Sequence, residues 1–383
     1  MPDEPSPLSA RTRIESLGVY LPERVLPTEE LMRMCRHRPR LDLEGITGIH
    51  ERRVAEGEHA ADLAIKAAER ALQMSAYGAE DLDLIVCTSI SKYNREFEVD
   101  FEPATAVKVR RAIGARRAQT FDVVNACAGM FNGIEVVQAY LRAGLIRRGM
   151  VVSGEHNLPL MMSATREILS SFDGQMAALT LGDAGAAVVL DQTTDPDAGV
   201  RYLELVTGAK HNHFCYSVPS KKGPGGILIT KARGLQRKGA EHFPFYLKKA
   251  VDRSGWSMDE IDFGIAHQVS VRGVINGVKV LKRFLGCSVP HQYIYNCDRY
   301  GNTTTTSHFV VLHDFMLKGE LQPGHRLLFV SGASGIVITH MTYQLDDLPA
   351  RYRAAFGDER VDALEVADGE RLPVAARAAV GGL

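Results

Sequence analysis

The sequence predicts a mixed α/β fold built from two copies of one unit. Three observations carry that expectation: segments recur in the same order in both halves, apolar runs alternate with helical patterns, and the composition is that of a globular protein. In the first half a helical pattern over 60–72 leads into Glu80-Asp81-Leu82-Asp83-Leu84-Ile85-Val86. In the second, one over 245–254 leads into Asp259-Glu260-Ile261-Asp262-Phe263-Gly264-Ile265. The run ending at Asn125-Ala126-Cys127 has a counterpart in Tyr293-Ile294-Tyr295-Asn296-Cys297, and Val151-Val152-Ser153-Gly154 has one in Phe329-Val330-Ser331-Gly332. Three matches in one order are hard to produce by chance. Strands alternating with helices imply helices packed on sheet faces.

In chain order, residues 1–12 are rich in Pro, Ser and charge and lack an apolar signal core, so they read as a flexible N-terminus and argue against secretion. Residues 13–198 form the first half. Within it, 180–190 reads as strand, tight turn, strand, with Gly182 and Gly185 supplying the backbone angles of the turn. The Asp-, Pro-, Thr- and Gly-bearing stretch 193–199 marks the boundary. Residues 199–348 form the second half. Its Gly- and Lys-rich stretch 210–241 has weak periodicity and reads as a long surface excursion. The charged, Ala-rich tail 349–383 looks appended to the fold.

With 383 residues, 45% hydrophobic and 24% charged, the chain is long enough for two core-bearing units. A formal net charge of -1 argues against a sequence-independent nucleic-acid binder. No apolar stretch is long enough to cross a bilayer. Six scattered cysteines, Cys287 among them, form no Cys-x-x-Cys pair, which suits a reducing cytoplasm.

Three polar residues fall at the ends of expected strands, where ligand sites gather in open α/β sheets. Cys127 follows the apolar run of Phe121-Asp122-Val123-Val124-Asn125-Ala126. Met130, Ile134, Val137 and Leu141 then recur at helical spacing to a C-cap at Gly144. A thiol on the first turn of a helix meets unpaired N–H groups and the positive end of the dipole, which favours thiolate; the alternative is a buried structural cysteine. His267 ends the run 263–266 before a helix over 271–285. Asn302 precedes a helix over 309–317. Thiolate, imidazole and amide together suit acyl transfer, with His267 and Asn302 holding the oxygen of a second thioester as it becomes an enolate. The bland readings are a structural histidine and an N-cap asparagine. The cluster His211-Asn212-His213 with Cys215 lacks a second ligand pair and reads as a polar loop, not a metal site. Arg272 and Lys279, with Lys282 and Arg283, could meet the phosphates of CoA or phosphopantetheine, or simply be solvated.

The chain resembles the thiolase superfamily, in the branch containing ketoacyl-ACP synthase III. The resemblance rests on the cysteine segment, Leu181-Gly182-Asp183-Ala184-Gly185-Ala186-Ala187, His267-Gln268 and Gly301-Asn302-Thr303, and spans about residues 13–344. It implies a duplicated five-layer αβαβα sandwich, a homodimer, a Cys127–His267–Asn302 catalytic set, and acyl-CoA or acyl-carrier-protein thioesters as substrates with no cofactor. It also implies that the backbone N–H of Cys127 and the turn Ser331-Gly332-Ala333-Ser334-Gly335 make an oxyanion hole, so Gly332, Ser334 and Gly335 would line the substrate site.

Two departures turn the resemblance toward the non-decarboxylative condensing thiolases of head-to-head olefin biosynthesis. The turn 331–335 is not the triple-glycine turn usual in ketoacyl-ACP synthase III, and Phe101-Glu102-Pro103-Ala104-Thr105-Ala106 carries an acid where those enzymes are apolar. Malonyl-type donors form their carbanion by losing CO2. Joining two plain acyl thioesters requires a base for the α-proton. By resemblance that base is Glu102, reaching the partner subunit's site, with Glu96, Glu98 and Asp100 close by in sequence; alternatively Glu102 is a surface acid opening a helix. The alternatives in function are condensation with a malonyl-type extender, acyl transfer to a hydroxyl or amine, and a non-catalytic partner subunit.

Overall fold

The computed structural model describes residues 10–285, 292–359 and 366–368. Cys287, all but the last few residues of the expected flexible N-terminus, and the end of the tail lie outside them. Two sheets of one plan form the frame. The first runs Arg11–Tyr20, Ala184–Thr193, Gly149–Glu155, Leu84–Cys87, Gln119–Asp122. The second runs Gly199–Thr207, Val337–Gln344, Arg326–Ala333, Phe263–Ala266, Gln292–Ile294, with Val366–Asp368 added at its edge. In each, the first two of these pairings are antiparallel and the next two parallel. Even an irregularity is shared: register slips between Ile14 and Ser16 in one sheet and between Val200 and Tyr202 in the other.

Side chains alternate across each strand, so an apolar run covered on both faces feeds two cores. Leu84 and Val86 face a central core with Phe131, Ile134, Phe309, Leu327 and Phe329. Ile85 and Cys87 face outward onto Ala64, Ala67 and Val109. In the second sheet Leu328 and Val330 face outward onto Leu247, Val251, Val274 and Val278. The helices Gly129–Arg142 and Ser307–Leu317 therefore lie between the sheets. Ala60–Met74 and Thr105–Ile113 cover the first sheet, and Ala232–Ser254 and Val271–Leu285 the second. The result is the expected five-layer αβαβα sandwich. No helix among the described residues is long and apolar enough to cross a membrane.

Burial all round forces the polar residues of the central helix to find partners. Ser307 through Met316 are all buried. His313 Nδ1 lies 2.7 Å from the Tyr352 hydroxyl, and Asp314 accepts from Asn296, Arg299 and Tyr300.

Three expectations need correction. Residues 180–190 are not a hairpin: a 3-10 turn, Gly174–Thr180, leads through a single bridge between Leu181 and Asn302 into one long strand from Ala184. The stretch 210–241 is not a bare loop but a short turn, a hairpin of Cys215–Pro219 with Gly226–Thr230, and the start of a 23-residue helix. Gly, Lys and the internal Pro244 obscured its period. Nor is the tail simply appended. Helix Leu348–Phe356 buries Leu348, Tyr352 and Phe356, a stripe at spacing four hidden among alanines and arginines, in the central core.

Candidate functional site

The strand Gln119–Asp122 ends where the Val123 N–H donates to Cys87 O (2.8 Å). The chain then bends hard. Ala126 has φ +45°, a left-handed angle uncommon without glycine, and Cys127 follows it. Turn bonds from Ala128 N–H to Asn125 O (3.1 Å) and from Gly129 N–H to Ala126 O (2.9 Å) close the elbow before helix Gly129–Arg142. Gly129 leaves little room for a side chain: a Cβ there would lie 3.0 Å from Thr88 O and 3.1 Å from Thr305 Oγ1. The small residues after Cys127 thus let three loops close together.

The thiolate expectation is corrected. Cys127 stands two residues ahead of the helix, and the Met130 N–H is taken by Thr305 Oγ1 at 2.8 Å. Cys127 is half-buried, and burial, then Cys215 and Glu155, push its thiol well above the ordinary range. At neutral pH the resting thiol is protonated.

The second half supplies the other groups at its own strand ends. The His267 N–H donates to Val330 O at 2.8 Å, as the Thr88 N–H donates to Val152 O at 2.8 Å in the first half. Its Nδ1 lies 3.0 Å from Ser307 Oγ, and its ring stacks on His308 at 5.9 Å. Burial, then His308, lowers His267 to about 3, so the ring is neutral. Asn302 is pinned by its backbone: its N–H donates to Thr180 O (2.8 Å) and its carbonyl accepts from Gly182 N–H (3.1 Å). Its side-chain Oδ1 accepts from Thr304 N–H at 2.9 Å, which orients the amide and leaves its NH2 as the donor end.

Polar threads tie these pieces into one site. Ser331 Oγ donates to Cys127 O (3.4 Å), and the neighbouring Val330 carbonyl accepts from His267 N–H and lies 3.1 Å from His308 Nε2. Thr305 joins the helix after Cys127 to the Asn302 loop, and Ser307 joins that loop to His267. Sequence reasoning missed Ser307 and Thr305, and it had Ser331 only as part of the turn 331–335. The run Thr303-Thr304-Thr305-Thr306-Ser307 was a visible signal: five consecutive hydroxyls beside Asn302 turn out buried, and those of Thr305, Thr306 and Ser307 are bonded.

Other candidates sit apart or at the rim. Ala333 and Val337 pack against Ala128, with Cys127 at the edge of that cluster, so the turn 331–335 borders Cys127. Gly332 lies under the Phe243 ring, 2.6 Å from a would-be Cβ, and Ser334 Oγ donates to Cys215 O. Glu102 is exposed beside Phe101, which is 88% exposed. Asp122 holds this segment to the nucleophile strand, accepting from Thr105 N–H (3.0 Å) and Ala106 N–H (2.9 Å). Arg272 is half-buried and Lys279 exposed on helix Val271–Leu285. His211 stacks on Phe214 and His213 tilts against it in a short turn, and no group of three or more His, Cys, Asp or Glu among the described residues could hold a metal ion.

Residues 121–210 match the family model for 3-oxoacyl-[acyl-carrier-protein (ACP)] synthase III, and residues 251–345 match the model for its C-terminal part. A beta-ketoacyl-[acyl-carrier-protein] synthase III of Symbiobacterium thermophilum is 30% identical over 336 residues, covering 85% of this chain and 95% of that protein. The chain belongs to the ketoacyl-ACP synthase III family. It is a condensing acyltransferase of the thiolase superfamily. A synthase III of Deinococcus deserti is 29% identical, covering 84% of this chain and 88% of its own length. Among solved structures, 3-oxoacyl-[acyl-carrier-protein] synthase III of Aquifex aeolicus superimposes with TM-score 0.74 at 22% identity, over 87% of this chain and 99% of that one. OleA of Xanthomonas campestris superimposes with TM-score 0.75 at 24% identity, over 88% and 98%. These two likenesses speak to the fold.

Proposed function

We propose that this family member joins two acyl thioesters by Claisen condensation through an acyl group carried on Cys127. The observation that carries the reading is the set of hydrogen bonds that ties the strained cysteine elbow to the His267 and Asn302 loops, through Thr305, Ser331 and Val330, with His267 and Asn302 each fixed by bonds of their own. In the first step the Cys127 sulfur attacks an acyl thioester of CoA or a carrier protein. The carbonyl–sulfur bond of the donor breaks and the Cys127 proton leaves with the departing thiol. In the second, a further acyl thioester places its carbonyl oxygen between the His267 ring and the Asn302 amide. A base removes its α-proton and the carbanion attacks the Cys127 acyl carbonyl. The tetrahedral intermediate expels the Cys127 sulfur, which takes back a proton, and a β-keto thioester leaves.

Glu102 is our choice for that base. It is exposed, and the apolar side chains of Phe101 and Val99 are exposed close by in sequence, beside the ion-paired Asp100. Such a patch suits a contact between two copies, in which each subunit lends Glu102 to the other. The second reading, decarboxylation of a malonyl-type extender with no base, is favoured by the name of the 30% identical relative.

Intact-protein mass spectrometry with a panel of acyl-CoAs, with and without malonyl-CoA, tests both on wild type, Cys127→Ala and Glu102→Gln. An adduct absent in Cys127→Ala, with β-keto product formed without malonyl-CoA and lost in Glu102→Gln, supports the base-assisted reaction. Product only with malonyl-CoA, indifferent to Glu102, selects the decarboxylative one. Wild type that no acyl donor modifies would overturn the proposal.

A further inference from the structure

His267 can serve the second thioester only if the nitrogen facing the substrate carries a proton. A bare lone pair there would repel the carbonyl oxygen. The neutral imidazole has one N–H to place, so something must choose the tautomer. The surrounding bonds make the choice traceable. His308 Nε2 lies 3.1 Å from Val330 O, and a carbonyl only accepts, so His308 carries its proton on Nε2. Its Nδ1 is then a lone pair, 3.5 Å from Ser307 Oγ. The His267 Nδ1 lies 3.0 Å from the same oxygen. Ser307 has a single proton for two candidate acceptors, and it is buried at the head of the central helix. The 3.0 Å contact is close to an ordinary hydrogen bond, whereas 3.5 Å is at the outer limit.

We propose that the Ser307 hydroxyl is a positioning group that donates to His267 Nδ1 and so fixes the Nε2-protonated tautomer, which makes the imidazole a donor to the second thioester rather than a base. This rests on the reading that His267 serves that thioester. Were the Ser307 proton turned to His308, His267 would have to donate from Nδ1, and its Nε2 would become an acceptor aimed at the substrate. His308 is thus the counterweight: its bond to Val330 O anchors the ring that competes for the same hydroxyl.

The test uses the full chain with 15N-labelled histidine. Nitrogen–proton correlation spectra distinguish the two tautomers, and wild type is expected to show His267 protonated on Nε2. In Ser307→Ala the Nε2 preference should fall to a mixture. Acylation of Cys127, followed by intact mass, should stay within about twofold, while turnover of the acyl-enzyme to β-keto product should fall about 10- to 100-fold, the scale for weakening one oxyanion donor. Ser307→Thr, which keeps the hydroxyl, should restore most of the rate. A wild-type His267 protonated on Nδ1, or a Ser307→Ala enzyme that condenses at the wild-type rate, would overturn the inference. Wild type that cannot be acylated at Cys127 would instead remove the underlying functional reading, and the spectrum would still decide the tautomer.

Discussion

Replacing Arg52 by Met should destabilise the chain and slow condensation more than acylation. Arg52 is completely buried, and its guanidinium donates to Leu181 O (3.3 Å), Leu26 O (3.3 Å), Leu179 O (3.0 Å) and Thr28 Oγ1 (2.9 Å). None of these partners is a carboxylate. Burial lowers its pKa to about 10, so it is still charged at neutral pH. Methionine removes the cost of burying that charge but orphans three carbonyls, each worth about 1–3 kcal/mol when buried unpaired, for a net loss on the order of 4 kcal/mol. At about 2.1 cal/mol/K per residue, 383 residues give an unfolding entropy near 0.8 kcal/mol/K, so the melting temperature should drop by roughly 5 °C. Leu179 and Leu181 flank Thr180, whose carbonyl holds the Asn302 N–H, so the Asn302 amide should lose its aim while Cys127 keeps its own. Thermal melts and acyl-enzyme turnover measure the two effects. A melting temperature within 1 °C of wild type would refute the energetic argument; equal losses in acylation and condensation would refute the link to Asn302.

Tyr352→Phe should cost about 1–2 kcal/mol in urea denaturation, because it strips the 2.7 Å partner from buried His313, and Tyr352→Ala about 3–5 kcal/mol through the cavity as well. Gly182→Ala would put a Cβ 2.0 Å from Tyr300 O; overpacking of this kind costs about 1–3 kcal/mol, and because Gly182 also bonds Asn302, condensation should slow with it. Acid should destabilise the chain well before carboxylates titrate. Burial lowers His267, His313 and His340 to about 3 and His308 to about 4, below the unfolded value near 6.5, so their contribution is complete above about pH 6.5 and lost as pH falls toward those values. At pH 5 each costs about 2 kcal/mol. Asp314, raised to about 6, and Glu155, also raised, act in the opposite sense and offset part of the loss. Urea midpoints that do not fall between pH 7 and 5 would contradict this.

What the sequence made legible follows from where each signal resides. The two sheets were readable because strands such as Leu84–Cys87 and Arg326–Ala333 are covered on both faces, and the same apolar run must then appear in each half. Cys127, His267 and Asn302 were readable as polar residues interrupting such runs at strand ends. The hydroxyls that aim them were not. Thr305 reaches from one half to the other over 175 residues of chain and Ser307 reaches across 40 within the second half, and no local period reports a contact of that range. The stripe of Leu348, Tyr352 and Phe356 was lost for a different reason: its partners lie on the strand Arg11–Tyr20 and the central helix, at the far end of the fold. The thiol's protonation was misjudged because the sequence shows a helix start but not the depth at which the sulfur sits.

The duplication offers its own control for that last point. Cys297 occupies the position in the second half that Cys127 holds in the first, after a short strand and at the start of a helix. Residue type is therefore matched, whereas Cys297 is the first residue of its short helix, Cys127 stands two residues ahead of its own, and the surroundings differ. Cys297 is sealed among Val271, Ile275 and Tyr295, with its thiol held far above the ordinary range by burial. Cys127 is half-buried, and the strained angle at Ala126 swings it clear of the helix that follows. Access rather than helix position should then decide reactivity. In the folded protein at pH 8.5, iodoacetamide should label Cys127 while Cys297 stays unmodified until denaturant opens the core, as read by peptide mass mapping. Equal labelling of the two would mean that the elbow gives Cys127 no advantage, and would leave the acyl-enzyme reading without its physical basis.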